Sequence, residues 1–176
     1  MEKRGDATPS GVDRPCQAMH NTDRIGRGWP DMTGIEIREL RREDFERGFL
    51  DTLATLTSVE LTAERARELF DHKPPNQFTF VAVHGDRVIG TTSLMLDQKY
   101  IHSGGRVGHI EDVAVASDFQ RRGIGTELVQ YAVAYAKSAG CYKVILHCLA
   151  HLSQFYQRLG FRDFNIGMRL DVPGVQ

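Results

Sequence analysis

The sequence predicts an α/β (α+β) fold, a mixed and mostly antiparallel central sheet flanked by helices. Three observations predict it. Residues 78–96, "FTFVAVHGDRVIGTTSLML", read as two alternating strands joined at Gly85-Asp86, a two-residue hairpin signal. Residues 106–148 then read as strand, long helix and strand, the pattern of a crossover connection. Finally, the apolar period switches repeatedly between two and 3.6 without any internal repeat.

The elements follow in order. "IEIREL" (35–40) alternates as a strand, and "EDFERGFLDTLATL" (43–56) spaces Phe45, Phe49, Leu50, Leu53 and Leu56 on one helical face. Thr62 is placed to N-cap a short helix, "AERARELFDH" (63–72). After the hairpin, "RVGHIEDVAV" (106–115) is a further strand. Residues 123–139 form a helix with Ile124, Leu128, Ala132, Tyr135 and Ala139 on one side. "YKVILHC" (142–148) is a buried strand, "LSQFYQRLG" (152–160) a short helix ending at glycine, and "FRDFNIGMRL" (161–170) closing strand material. Residues 34–176 are one domain of this kind. Residues 1–33 mix glycine, proline and charge without a period and are expected to be a flexible tail, with Trp29 its candidate for docking.

Composition narrows the function. Twenty-two basic residues against 23 acidic ones give a net charge of −1, so no overall basic field calls for nucleic acid or an anionic membrane. No apolar run approaches the 18 or so residues of a membrane span. Of the three cysteines, Cys141 and Cys148 bracket a strand that holds them roughly 20 Å apart, which excludes a bond between them. With no secretory signal and no simple targeting tail in "PGVQ", a cytoplasmic or other reducing compartment is expected.

Three groups of residues carry chemistry. Gln120-Arg121-Arg122-Gly123-Ile124-Gly125 stands at the start of the long helix. Its glycines allow close approach of backbone N–H groups, the helix start favours anions, and the arginines add charged donors. A lone G-x-G equally suits a softened helix entry with solvated arginines. Leu128 replaces the third glycine of a dinucleotide fingerprint, and no G-K-[ST] ending makes a P-loop. Glu111 and Asp112 are neighbours on a strand, where regular geometry points them to opposite faces; a bulge would change that and free a backbone N–H. Tyr156 fits either a core aromatic pair with Phe155 or a proton donor in a cleft, and spacing does not choose. The histidines at 102, 109, 147 and 151 show no metal-ligand spacing, so no metal is expected.

Together, a strand ending in V-A-V, Q-R-R-G-I-G, a long helix, a strand and an F-Y helix resemble the GNAT acetyltransferase superfamily, whose pyrophosphate loop is [QR]-x-x-G-x-[GA]. Within it, "KYIH" (99–102), "GHIEDVAV" (108–115), "GCYKVIL" (140–146), "FYQRLGF" (155–161) and Met168 are similar to the glucosamine-6-phosphate N-acetyltransferases. The resemblance spans residues 35–170, and it implies acetyl-CoA as co-substrate, no metal and a homodimer whose final strand reaches across the interface. It also implies a strand that splays from its neighbour, exposing Val113, Ala114 and Val115 to the thioester and pantetheine. By the same likeness Gln120, Arg121, Arg122, Gly123, Ile124, Gly125 and Thr126 cradle the pyrophosphate. Thr62, Lys99, Tyr100, Ile101, His102, Glu111, Asp112 and His147 fall at the sugar phosphate site, and Tyr156 with Asp112 is catalytic. The product would enter UDP-N-acetylglucosamine synthesis.

The chain departs from that pattern at four places. His147 stands for an acidic residue and Asp171 for an arginine, Leu152 replaces a polar residue, and the arginine before Lys99 is absent. The rival readings are acetylation of another small amine and a silent acyl-CoA-binding module.

Overall fold

The computed structural model describes residues 33–172. The expected tail, Trp29 included, lies outside them save for Thr33. Five strands form one sheet in the order of the chain. β1 (Ile35–Glu39), β2 (Gln77–His84), β3 (Arg87–Gln98) and β4 (Arg106–Val115) pair antiparallel, and β5 (Cys141–Leu146) lies parallel to β4. The Gly85-Asp86 hairpin forms as expected, with His84 opposite Arg87 and Gly85 at a φ of 59°.

Helix α3 (Ile124–Ser138) crosses one face of the sheet and buries Ile124, Leu128, Val129, Ala132 and Ala136. It lies close because β3 carries Gly90 beneath it. A Cβ there would stand 2.9 Å from both Ile124 Cγ2 and Leu128 Cδ1, a distance only glycine permits. The opposite face of β2 and β3 is covered by α1 (Phe49–Leu53) and α2 (Ala63–Asp71), where Phe45, Phe49 and Ala66 pack with Val81, Val83 and Val88. α2 starts at Thr62 as expected, its Oγ1 accepting from the Arg65 N–H at 3.3 Å. A buried ion pair ties the end of β1 to the next turn: Arg38 donates to both oxygens of Asp44 at 2.7 and 2.8 Å.

Two expected elements differ. The single helix over 43–56 is a 3₁₀ turn (Arg42–Glu46) followed by α1, because Gly48 between them sits at a φ of 88° and interrupts the helical path. The closing strand over 161–170 is absent as a strand. Its alternation is real: Phe164, Ile166, Met168, Leu170 and Val172 all stand exposed, Met168 at 95%. A strand needs a neighbour for its backbone groups, and none of the described residues pairs with this segment.

Candidate active site

The site begins where two strands part. β4 and β5 are paired from Arg106 and Cys141 as far as Ile110 and Leu146. Beyond that point β4 runs on to Val115 against β3 alone, with Val115 opposite Gly90. A wedge therefore opens beside residues 111–115, and the backbone groups of β4 facing it have no strand partner among the described residues. β4 is also bulged here. Thr91 faces Ala114 and Ser93 faces Glu111, so Thr92 opposes both Asp112 and Val113. Asp112 takes a φ of 53°, and the buried Thr92 hydroxyl donates to the Glu111 carbonyl at 3.2 Å. The extra residue breaks the regular alternation, and Glu111 and Asp112 are both exposed. Thr92 was not foreseen as part of this arrangement, because nothing in its sequence context separates it from any buried strand threonine.

The anion loop sits at the far end of the wedge. Gln120 Nε2 donates to the Val115 carbonyl at 3.1 Å, which fastens the loop to the end of β4. Arg121 (φ 61°) and Gly123 (φ 87°) both take left-handed backbone, and α3 starts at once after Gly123. As N-cap, Gly123 offers no side-chain acceptor to the first turn. The leading N–H groups at Ile124, Gly125 and Thr126 therefore have no side-chain cap among the described residues and carry the positive end of a 15-residue helix. The two arginines differ. Arg122 lies over the Phe119 ring at 5.0 Å, whereas the Arg121 side chain is exposed. Uncapped donors, left-handed glycine and flanking cations fit a pyrophosphate.

α4 (Ser153–Arg158) brings Tyr156 to the same place, in one apolar cluster with Val113 of the bulge. Its ring meets Phe155 edge-on at 4.9 Å and Phe161 at 6.0 Å. The ring is thus core, as the bland expectation had it, and it is Phe155 that is only half-buried. The Tyr156 hydroxyl has no hydrogen-bond partner among the described residues. Burial pushes its pKa up, and the neighbouring Cys148 adds to that, so the phenol is held neutral. Cys141 and Cys148 are both free.

The residues expected at the sugar phosphate do not all meet within one chain. Gln98 faces Arg106 and Ser93 faces Glu111, so the loop that starts at Lys99 stands about 17–20 Å from Glu111 along the sheet. In that loop His102, Ser103 and Gly104 are all left-handed, the Lys99 N–H donates to the Gly105 carbonyl at 2.9 Å, and the His102 ring rests on Tyr142 at 4.7 Å. Tyr100 and Ile101 are exposed at its tip, and Lys99 pairs with Asp97. Thr62 is exposed and engaged as the α2 N-cap. His147 lies just past β5, so close to Gly167 that a Cβ on that glycine would be 3.0 Å from its Cδ2.

A parted pair of parallel strands, a bulge and a helix start without a side-chain cap make a groove at one end of the sheet that suits an extended ligand carrying a phosphate. Residues 35–161 match the acetyltransferase (GNAT) family, and the chain belongs to it. A glucosamine 6-phosphate N-acetyltransferase of Candida albicans is 35% identical over 140 residues, covering 77% of this chain and 94% of its own. A probable glucosamine 6-phosphate N-acetyltransferase 2 of Oryza sativa is 35% identical over 144 residues, covering 77% and 87%. Among solved structures, the glucosamine-6-phosphate N-acetyltransferase of Arabidopsis thaliana superposes with a TM-score of 0.74 at 31% identity, covering 78% of this chain and 97% of that one. Among the described residues no helix is long and apolar enough to cross a membrane.

Proposed function

We propose that the protein transfers the acetyl group of acetyl-CoA to the amine of glucosamine 6-phosphate, giving N-acetylglucosamine 6-phosphate for amino-sugar nucleotide synthesis. The observation that carries this is the wedge beside residues 111–115 with Tyr156 packed against its bulge. The uncapped N–H groups at Ile124, Gly125 and Thr126, with Arg121, hold the pyrophosphate of coenzyme A. The unpaired backbone of Val113, Ala114 and Val115 takes the pantetheine as a missing strand would be taken. A backbone N–H on the same edge bears on the negative charge that develops on the thioester oxygen. Glu111 and Asp112 hold the acceptor amine, and with both substrates bound the amine attacks directly. Tyr156 gives its proton to the departing thiolate and regains one from the acceptor nitrogen, which sheds a proton as the amide forms.

The acceptor's phosphate falls to Lys99 and His102, and the working unit is a homodimer. Two observations support it: the row Phe164 to Val172 stands uncovered, and the Lys99 loop stands far from Glu111 of its own chain. A second copy that pairs with this row covers it, and its Lys99 loop completes the first copy's site. A panel of amino sugars, phosphorylated and not, with thiol release as readout, tests the reading. Glucosamine 6-phosphate is expected to exceed glucosamine at least tenfold in kcat/KM, from charge-assisted contacts of about 1.5–3 kcal/mol each. Equal rates on the two sugars would overturn it.

A further inference from the structure

Gly108 packs under Ala136 of α3, so its neighbours 107, 109 and 111 turn to the other face of the sheet. On that face His109 stands opposite Met95 and one step along from Asp97, which stands opposite Val107. The Asp97 carboxylate is paired with Lys99. His109 Nε2 points at the same oxygen, Asp97 Oδ2, from 3.8 Å, beyond hydrogen-bond distance. That nitrogen is buried and has no hydrogen-bond partner among the described residues. A buried imidazole nitrogen left without a bond is costly, and here it is aimed at an acceptor that Lys99 already occupies.

We propose that Asp97 and His109 are positioning residues for Lys99, and that Asp97 exchanges partners when the acceptor binds. Without acceptor, Asp97 holds the Lys99 ammonium at the mouth of the loop. When Lys99 turns to the phosphate, it would strand a half-buried carboxylate. His109 then closes the gap and donates Nε2–H to Asp97, which removes that penalty. No covalent bond changes; one ion pair is replaced by a hydrogen bond, and the lysine is released to a dianion. All three groups belong to one chain, so the unit moves intact into whichever copy's site the loop completes. The inference rests on the glucosamine 6-phosphate reading and deepens it.

The test measures kcat/KM for glucosamine 6-phosphate over that for glucosamine, together with the acetyl-CoA KM and thermal unfolding. His109→Ala is expected to lower the sugar ratio about tenfold, the low end of one hydrogen bond to a charged group, with the acetyl-CoA KM unmoved. His109→Gln, which keeps a donor, is expected to stay within about threefold of the parent. In the double variant Asp97→Asn/His109→Ala the amide no longer retains Lys99, and the ratio is expected to recover. An unmoved ratio in His109→Ala, equal losses in both substrates, or a double variant no better than His109→Ala would overturn the proposal. Should His109→Ala fail to fold, Asp97→Asn alone decides. It is expected at or above the parent ratio, and a tenfold fall sinks the exchange. A parent enzyme with no preference for the phosphorylated sugar removes the acceptor reading itself, whereas a normal preference with unmoved variants removes only the exchange.

Discussion

Replacing Tyr156 with phenylalanine isolates the chemistry of one oxygen. The ring contacts with Phe155 at 4.9 Å and Phe161 at 6.0 Å are kept, so packing against Val113 is preserved. Coenzyme A departs as a thiolate whose proton affinity resembles that of a free cysteine, with a pKa of about 8.5, and a phenol ordinarily titrates at about 10. Burial, then Cys148, raises Tyr156 further, so the donor is fully protonated at neutral pH. The alkaline limb it imposes on kcat lies above about pH 10. Because transfer from so weak an acid to a modest base is uphill, the low end of acid–base contributions applies. We expect kcat to fall about 10²-fold, equivalent to about 2.7 kcal/mol of barrier, with the acetyl-CoA KM nearly unchanged. Stability should hold, since the ring contacts are kept and the hydroxyl removed has no hydrogen-bond partner among the described residues. Thiol release at saturating substrates and a thermal melt read both quantities. A normal kcat with a lowered melting temperature would refute the catalytic role and leave Tyr156 a core residue.

Two further outcomes are expected. Gly123→Val should raise the acetyl-CoA KM while the fold persists. A Cβ there meets nothing within 4 Å, but the φ of 87° strains a β-branched residue and the loop must shift; an unchanged KM in a folded variant would take the loop out of the site. Asp44→Ala strands the Arg38 guanidinium and should cost about 3–5 kcal/mol in denaturant unfolding. Burial raises the pKa of Asp44, but the Arg38 and Arg41 hydrogen bonds and the charges of Arg38 and Arg47 outweigh it and bring the net below the usual carboxylate value. Its contribution is therefore complete above about pH 4 and is lost as pH falls through the lower folded pKa.

What the sequence made legible followed from period and punctuation. β4 was expected over 106–115 and occupies that span, because alternation, the preceding glycines and the Q-R-R-G-I-G stretch bound it on both sides. α3 needed only its apolar stripe and Gly123. The Thr62 cap was legible because capping is local chemistry. The break at Gly48 was not, since the apolar face of 43–56 continues through it and only the left-handed backbone betrays it. The bulge was legible only as a condition: Glu111-Asp112 required one in order to share a cleft, but its register is fixed by Thr92 on another strand. The approach of His109 to Asp97 was illegible for the same reason, since a cross-strand diagonal has no signature along one chain. The final segment carried a true strand pattern, and its state depends on a partner that the pattern does not name.

The surplus residue in β4 also governs which changes of length the strand can absorb. Ile110 and Val113 enter the same apolar cluster although three positions separate them, an odd interval that unbroken alternation forbids. Loss of a single codon at 111 or 112 would restore even spacing and leave both Ile110 and Val113 in place on one face. Such a deletant should fold well and be inert, since it heals the bend on which the chemistry rests. The same loss elsewhere in β4 would either remove an anchor or turn part of the strand to the wrong face. One short interval thus separates what the fold needs from what the reaction needs, and a scan of single-residue deletions through 106–115 would map that border more sharply than any series of substitutions.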